Sequence, residues 1–150
     1  MKIIVLIIAG AVVLSCNNGS SSGNPEQQHN ASIPKTLSDT LYQEVMKGHD
    51  VGMAKMGEIA RYQQLVKQKK DSLSAVNSEA GLRAILDSTL EELTLAEELM
   101  NRWMRDFEPD NAGATEAEKI SFYRHEKEKI DTVNARIFTS LEKANQITGL

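Results

Sequence analysis

The chain has 150 residues, with 17 Lys plus Arg against 21 Asp plus Glu, a formal net charge of −4 and one cysteine. The acid excess excludes the basic surface that non-specific binding to nucleic acid or to an anionic membrane requires. A lone cysteine excludes an internal disulfide and a zinc site built on thiolates.

The first sixteen residues, MKIIVLIIAGAVVLSC, run from a single Lys through the apolar or small stretch Ile3–Leu14 to Ser15 and Cys16. This is too short for a bilayer, which takes ~20 apolar residues. A charged start, an apolar middle and a small-residue cleavage site instead predict a secretory signal. The segment Val13-Leu14-Ser15-Cys16 resembles the lipobox of bacterial lipoproteins. That resemblance implies a signal peptide over residues 1–15, cleavage before Cys16, and a diacylglycerol joined to the Cys16 sulfur through a thioether. It also implies a place in the bacterial cell envelope, the outer membrane foremost, with the membrane contacted through the covalent lipid. Loss of Lys2 with the leader leaves 16 bases against 21 acids, a net charge of −5. With Cys16 acylated no thiol remains for a metal or for catalysis. One acyl chain holds a protein only marginally, whereas two anchor it stably.

Residues 16–35 are expected to form a lipidated flexible linker. NNGSSSGNPEQQHNASIPK is polar, rich in Ser, Asn and Gly, and has no apolar period. Nineteen such residues span roughly 22–26 Å root-mean-square.

From Thr36 to Ser74 there is no proline, and apolar residues recur at helical spacing: Leu37, Leu41, Tyr42, Val45, Met46, Met53, Met56, Ile59, Ala60, Val66, Leu73. Thr36 with Asp39 marks the start, since a Thr oxygen can accept a free backbone N–H. Gly48, Gly52 and Gly57 each cost ~0.5–1 kcal/mol relative to Ala. Only Gly52 lies on the inward stripe, where a missing side chain lets another backbone approach. A second helix is predicted over Ser78–Phe107. Its stripe, Leu82, Leu86, Thr89, Leu93, Ala96, Met100, Trp103, Phe107, steps by four and three as in a heptad seam. Leu95 and Leu99 lie beside the seam and widen the apolar face. Pro109, Asp110, Asn111 and Gly113 then break the chain. A third helix opens at the capping box Thr115-Glu116-Ala117-Glu118. Its stripe is Ile120, Tyr123, Lys127, Ile130, Asn134, Ile137, Leu141, Ala144, with Val133 and Phe138 alongside. Asn134 either occupies a core position and fixes register, or turns outward while Val133 points in. Nothing reads as a strand. Residues 36–150 are therefore expected to form an all-α domain, an elongated antiparallel three-helix bundle with coiled-coil-like packing.

One constellation carries chemistry. Met46, His49, Met53 and Met56 share the inward face of the first helix. A hairpin about residues 75–77 pairs positions summing to about 152, which sets His49 level with Trp103 and Met104, and Met53 level with Met100. Phe107 and Tyr123 join the same end. Thioether sulfur and imidazole suit Cu(I), and an indole face stabilises a cation. The candidate ligands are His49, Met53 and Met100, with Met46 and Trp103 beside them. The residue types match those of periplasmic copper metallochaperones, whose fold is a β-barrel. Haem held by His and Met is a further option, but a three-helix bundle offers it little room. The alternative is a plain core: Met fills irregular gaps, Trp and Phe add bulk, and His49 is neutral and hydrogen-bonded to Tyr123 or a backbone carbonyl. His125, Glu126 and Glu128 fall off the stripe and are expected at the surface. Glu91, Glu92, Glu97 and Glu98 likewise read as a solvated face. No phosphate loop, HExxH or Ser–His pattern occurs, and the expectation is no enzyme.

The segments Tyr42–Tyr62 (YQEVMKGHDVGMAKMGEIARY), Trp103-Met104 with Phe107-Glu108-Pro109, and Glu126–Ala144 (EKEKIDTVNARIFTSLEKA) are similar to a group of small bacterial lipoproteins often labelled "viral A-type inclusion protein". The resemblance covers most of residues 40–145 and implies a helical envelope lipoprotein, with no mechanism. The functional expectation is a non-enzymatic scaffold that binds another envelope protein or self-associates through Leu95, Leu99 and Phe138, with no nucleic acid as partner.

Overall fold

A computed structural model describes residues 35–73 and 80–149. The leader, Cys16, most of the linker and the hairpin turn at 75–77 lie outside the described residues. Three α-helices follow one another: α1 (Leu37–Ser72), α2 (Ala80–Asp106) and α3 (Glu116–Thr148), with a single 3₁₀ turn, Pro109–Asn111, before α3. Among the described residues there is no strand, and no helix is long and apolar enough to cross a membrane.

Both expected helix starts are capping boxes. Asp39 N–H donates to Thr36 Oγ1 at 3.1 Å, while Thr36 N–H donates to Asp39 Oδ2 at 3.2 Å. At α3, Glu118 N–H donates to Thr115 Oγ1 at 3.3 Å and Thr115 N–H donates to Glu118 Oε2 at 2.9 Å. Each box pairs two backbone donors that the first helical turn leaves free. Gly113, with φ +104°, makes the bend before α3; a Cβ there would stand 2.5 Å from Glu118 Cβ.

The helices run up, down and up. Trp103 lies beside His49 and Gln63 Nε2 donates to Glu97, so α1 and α2 are antiparallel. Ser38 meets Glu116 while Tyr62 meets Asn145, so α1 and α3 are parallel. The core is a column of fully buried side chains from all three helices: Val45, Ile59 and Val66, Leu86, Leu93 and Met100, Ile130 and Ile137. Full burial of each such side chain contributes ~1.5–3 kcal/mol.

The six central positions of the expected α2 stripe, Leu86, Thr89, Leu93, Ala96, Met100 and Trp103, are its buried residues, while Leu82 and Phe107 at its two ends are half-buried against the core. The α1 stripe is narrower than expected. Leu37, Tyr42 and Met53 are 50%, 37% and 38% exposed, and Ala60 is exposed too. Burial follows Leu41, Val45, Gly52, Ile59 and Val66, joined by Ser38 and Tyr62, which the apolar pattern missed. On α3 two rows are buried together, Glu126, Ile130, Val133, Ile137, Ser140, Ala144 and the adjoining Asn134 and Leu141. A helix in a three-helix bundle touches two neighbours and needs a face wide enough for both. Asn134 and Val133 therefore both point inward. Lys127, on the expected stripe, instead pairs with Asp131 at 2.6 Å.

Candidate functional site

The end of the bundle at the start of α1 is built of rings. Trp103 stacks on Phe107 with centroids 4.8 Å apart, and Phe107 stacks against Tyr42 at 6.5 Å and Phe122 at 6.2 Å. Tyr123 sits edge-on to Tyr42 at 5.5 Å. Burial pushes the Tyr123 hydroxyl above its ordinary value, with the neighbouring Tyr42, Asp110 and Asp39 acting in the same direction. Phe122 was not foreseen in this cluster.

His49 joins it at the layer its spacing implies, its ring 5.7 Å from that of Trp103 and tilted by 32°. Its expected hydrogen bond to Tyr123 or to a backbone carbonyl is not formed. Nδ1 instead lies 3.0 Å from Asp50 Oδ1, and the imidazole side chain is 21% exposed. His49 is thus at the edge of the core, facing outward on one side. Met46 and Met56 are half-buried, and Met53 is more exposed than either. Met100 is fully buried; its methyl packs on Gly52, where a Cβ would stand 2.2 Å from it. Of the candidate ligands, Met46, His49 and Met53 share the rim of α1, Trp103 sits beside the imidazole, and Met100 belongs to the interior.

Glu126 corrects a sequence expectation. It is 4% exposed, not a surface residue, and its Oε2 accepts the Trp103 indole N–H at 3.0 Å while Lys129 Nζ reaches Oε1 at 2.7 Å. A charge is taken into a core only when paired and hydrogen-bonded, and both conditions hold here. A signal existed: Glu126 continues the four-three row that runs through Ile130, Val133, Ile137 and Ser140. His125 and Glu128 are exposed, as expected.

Beside Glu126 an open furrow of about 430 Å³ runs between α2 and α3. Leu99, Trp103 and Val133 give it an apolar floor, and Arg102, Asp106, His125, Glu128 and Lys129 stand along its rim. Leu95, 43% exposed, lies one turn before Leu99 on the same side of α2. Phe138, 44% exposed, does not join them. It sits one turn beyond Asn134, whose amide reaches α1, so it lies on the opposite flank of α3. The expected single contact stripe is therefore two separate patches.

No family model, no curated protein and no solved structure matches this chain.

Proposed function

We propose that this chain is a lipid-anchored, non-enzymatic interaction module of the bacterial cell envelope, held to the membrane through acylated Cys16 and gripping a partner helix in the α2–α3 furrow. The observation that carries the reading is the furrow itself: an apolar floor of Leu99, Trp103 and Val133, extended by exposed Leu95 and edged by both signs of charge. An amphipathic helix docks by laying its apolar stripe into such a groove, while rim charges set register more than affinity. The lipobox-like segment and the likeness of residues 42–62 to small envelope lipoproteins support the location. The partner is a helix of another envelope protein; a second copy of this chain is the other outcome that the experiment separates by mass.

The test places a photo-crosslinking residue at Leu95, and at exposed Ala54 on the outer side of α1 as control, in the full-length chain in intact cells. A discrete adduct from Leu95 alone is expected. No adduct from Leu95, or the same products from both positions, overturns the docking surface. The anchor is tested separately by metabolic labelling with a radioactive fatty acid. Label on the parent and none on Cys16→Ser is expected, and an unlabelled parent overturns the anchor.

A further inference from the structure

We propose that the exposed thioethers of Met53 and Met104 are a modification site, oxidised to sulfoxides by a two-electron oxidant of the peroxide class while the bundle stays folded. The site lies on the α1–α2 seam and does not depend on the docking reading, whose furrow is on the other flank of α2.

The seam gathers the methionines. Tyr42 stacks against Phe107, His49 lies beside Trp103, Gln63 meets Glu97 and Lys70 meets Asp87. These four α1 residues fall on one heptad position, and Met56 occupies the same position between His49 and Gln63. Met46 and Met53, three residues before His49 and four after it, border that row. Met104 stands seven residues after Glu97, so it lies on the side of α2 that faces α1, in the layer of Trp103 and His49.

Burial grades them. Met53 and Met104 are 38% and 37% exposed. Met46 and Met56 are half-buried, Met56 against the core. Met100 is fully buried, its methyl packed on Gly52.

The reaction asks only for solvent access to sulfur. A sulfur lone pair attacks one oxygen of hydrogen peroxide, and the S–O bond forms as the O–O bond breaks. The departing hydroxide takes up the proton of the transferred oxygen and leaves as water. Sulfur loses two electrons and the peroxide gains them, so one thioether and one peroxide give one sulfoxide and one water. The product is a polar side chain in place of an apolar one. On the rim its oxygen stays in water, no unpaired polar group is buried, and the fold is little disturbed. At Met100 the same oxygen would be buried without a partner, and the oxidant reaches that sulfur only when the bundle opens. The seam therefore takes up two oxygens before the core is touched.

The experiment uses the full-length chain bearing Cys16→Ser, purified in detergent, so that no thiol consumes the oxidant. Hydrogen peroxide is the probe, and samples are quenched with catalase at intervals and digested with trypsin. Cleavage after Lys47, Lys55, Arg61, Arg102 and Arg105 places Met46, Met53, Met56, Met100 and Met104 in separate peptides, so mass spectrometry reads each rate by itself. Met53 and Met104 should gain one oxygen first, and Met100 should react at least ~10-fold more slowly. When the first two are complete, the helical circular dichroism and the emission maximum of Trp103, the single tryptophan, should be unchanged. In denaturing urea the rates should converge. Met53→Leu/Met104→Leu, at two exposed positions, should stay folded and lose the fast phase. Three results overturn the proposal: Met100 reacting as fast as Met53 or Met104 in the folded chain, the same order of rates persisting in urea, or loss of helical signal with the first two oxygens.

Discussion

The two flanks of α3 are built differently. Towards α1 the contact is close and polar. Ser38 N–H and Oγ–H donate to the two oxygens of Glu116 at 3.0 and 2.8 Å, Asn134 Nδ2 donates to the Gly48 carbonyl at 2.8 Å, and Tyr62 O–H donates to Asn145 Oδ1 at 2.9 Å. Gly48 and Gly52 make room for this. A Cβ on Gly48 would stand 2.9 Å from Ile130 Cγ2, and one on Gly52 would stand 2.4 Å from Asn134 Oδ1. That oxygen is buried and has no hydrogen-bond partner. Towards α2 the contact opens into the furrow, and Lys143 reaches Glu92 at 2.6 Å across half-exposed surface. One flank of α3 is closed by polar contacts, and the other, beyond its buried Trp103–Glu126 hydrogen bond, opens to solvent.

Substitutions can break that contrast. Gly52→Ala is expected to have the largest effect. Forcing a methyl against Met100 Cε and Asn134 Oδ1 costs ~1–3 kcal/mol, and moving the Asn134 amide off Gly48 costs ~1 kcal/mol more. Together these exceed the ~1 kcal/mol that alanine gains in a helix. The urea midpoint of the full-length chain should fall. Gly57→Ala, five residues on, meets nothing within 4 Å and should raise that midpoint by an amount equivalent to ~0.5–1 kcal/mol. Equal shifts in the same direction would remove the close approach as an explanation.

The smallest effect is acid lability. Hydrogen bonds from the Ser38 backbone and hydroxyl hold the Glu116 carboxyl below its ordinary value, and those from Thr115, backbone first, do the same for Glu118. A depressed folded pKa contributes stability that is present above the unfolded value of ~4.3 and lost as pH falls through the folded one. Melting temperature should decline below that point, and Glu116→Gln should flatten part of the decline. An unchanged profile would show that the carboxylate adds nothing there.

Much of the fold was legible because heptad spacing carries both face and register. The sum near 152 that set His49 level with Trp103 depends only on helical rise and a short turn, and it also brings Gly52 to Met100. Buried polar residues were not legible in the same way. Ser38 and Tyr62 were absent from the apolar stripe, and Glu126 was expected at the surface, because burial of a polar group is allowed only by a particular partner, here Glu116, Asn145 and Trp103, each on another helix. The width of the α1 face was misjudged for a related reason. Methionine and tyrosine count as apolar in a periodic pattern, yet Tyr42 and Met53 are held at the rim.

The polar contacts between α1 and α3 join residues 78 to 86 positions apart, whereas those that α2 makes with the rest of the bundle span 10 to 55. Loop-closure entropy rises with that separation, so parallel docking of the outer helices is the costliest step to reach and is expected to come last, after α2 has folded back on a neighbour. Interactions absent from a transition state act on the rate of unfolding and leave the rate of folding almost untouched. In a chevron of the full-length chain, Asn134→Ala should therefore move the unfolding arm and not the folding one. The glycine crossing would then govern how long the native state lives, not how quickly it is found.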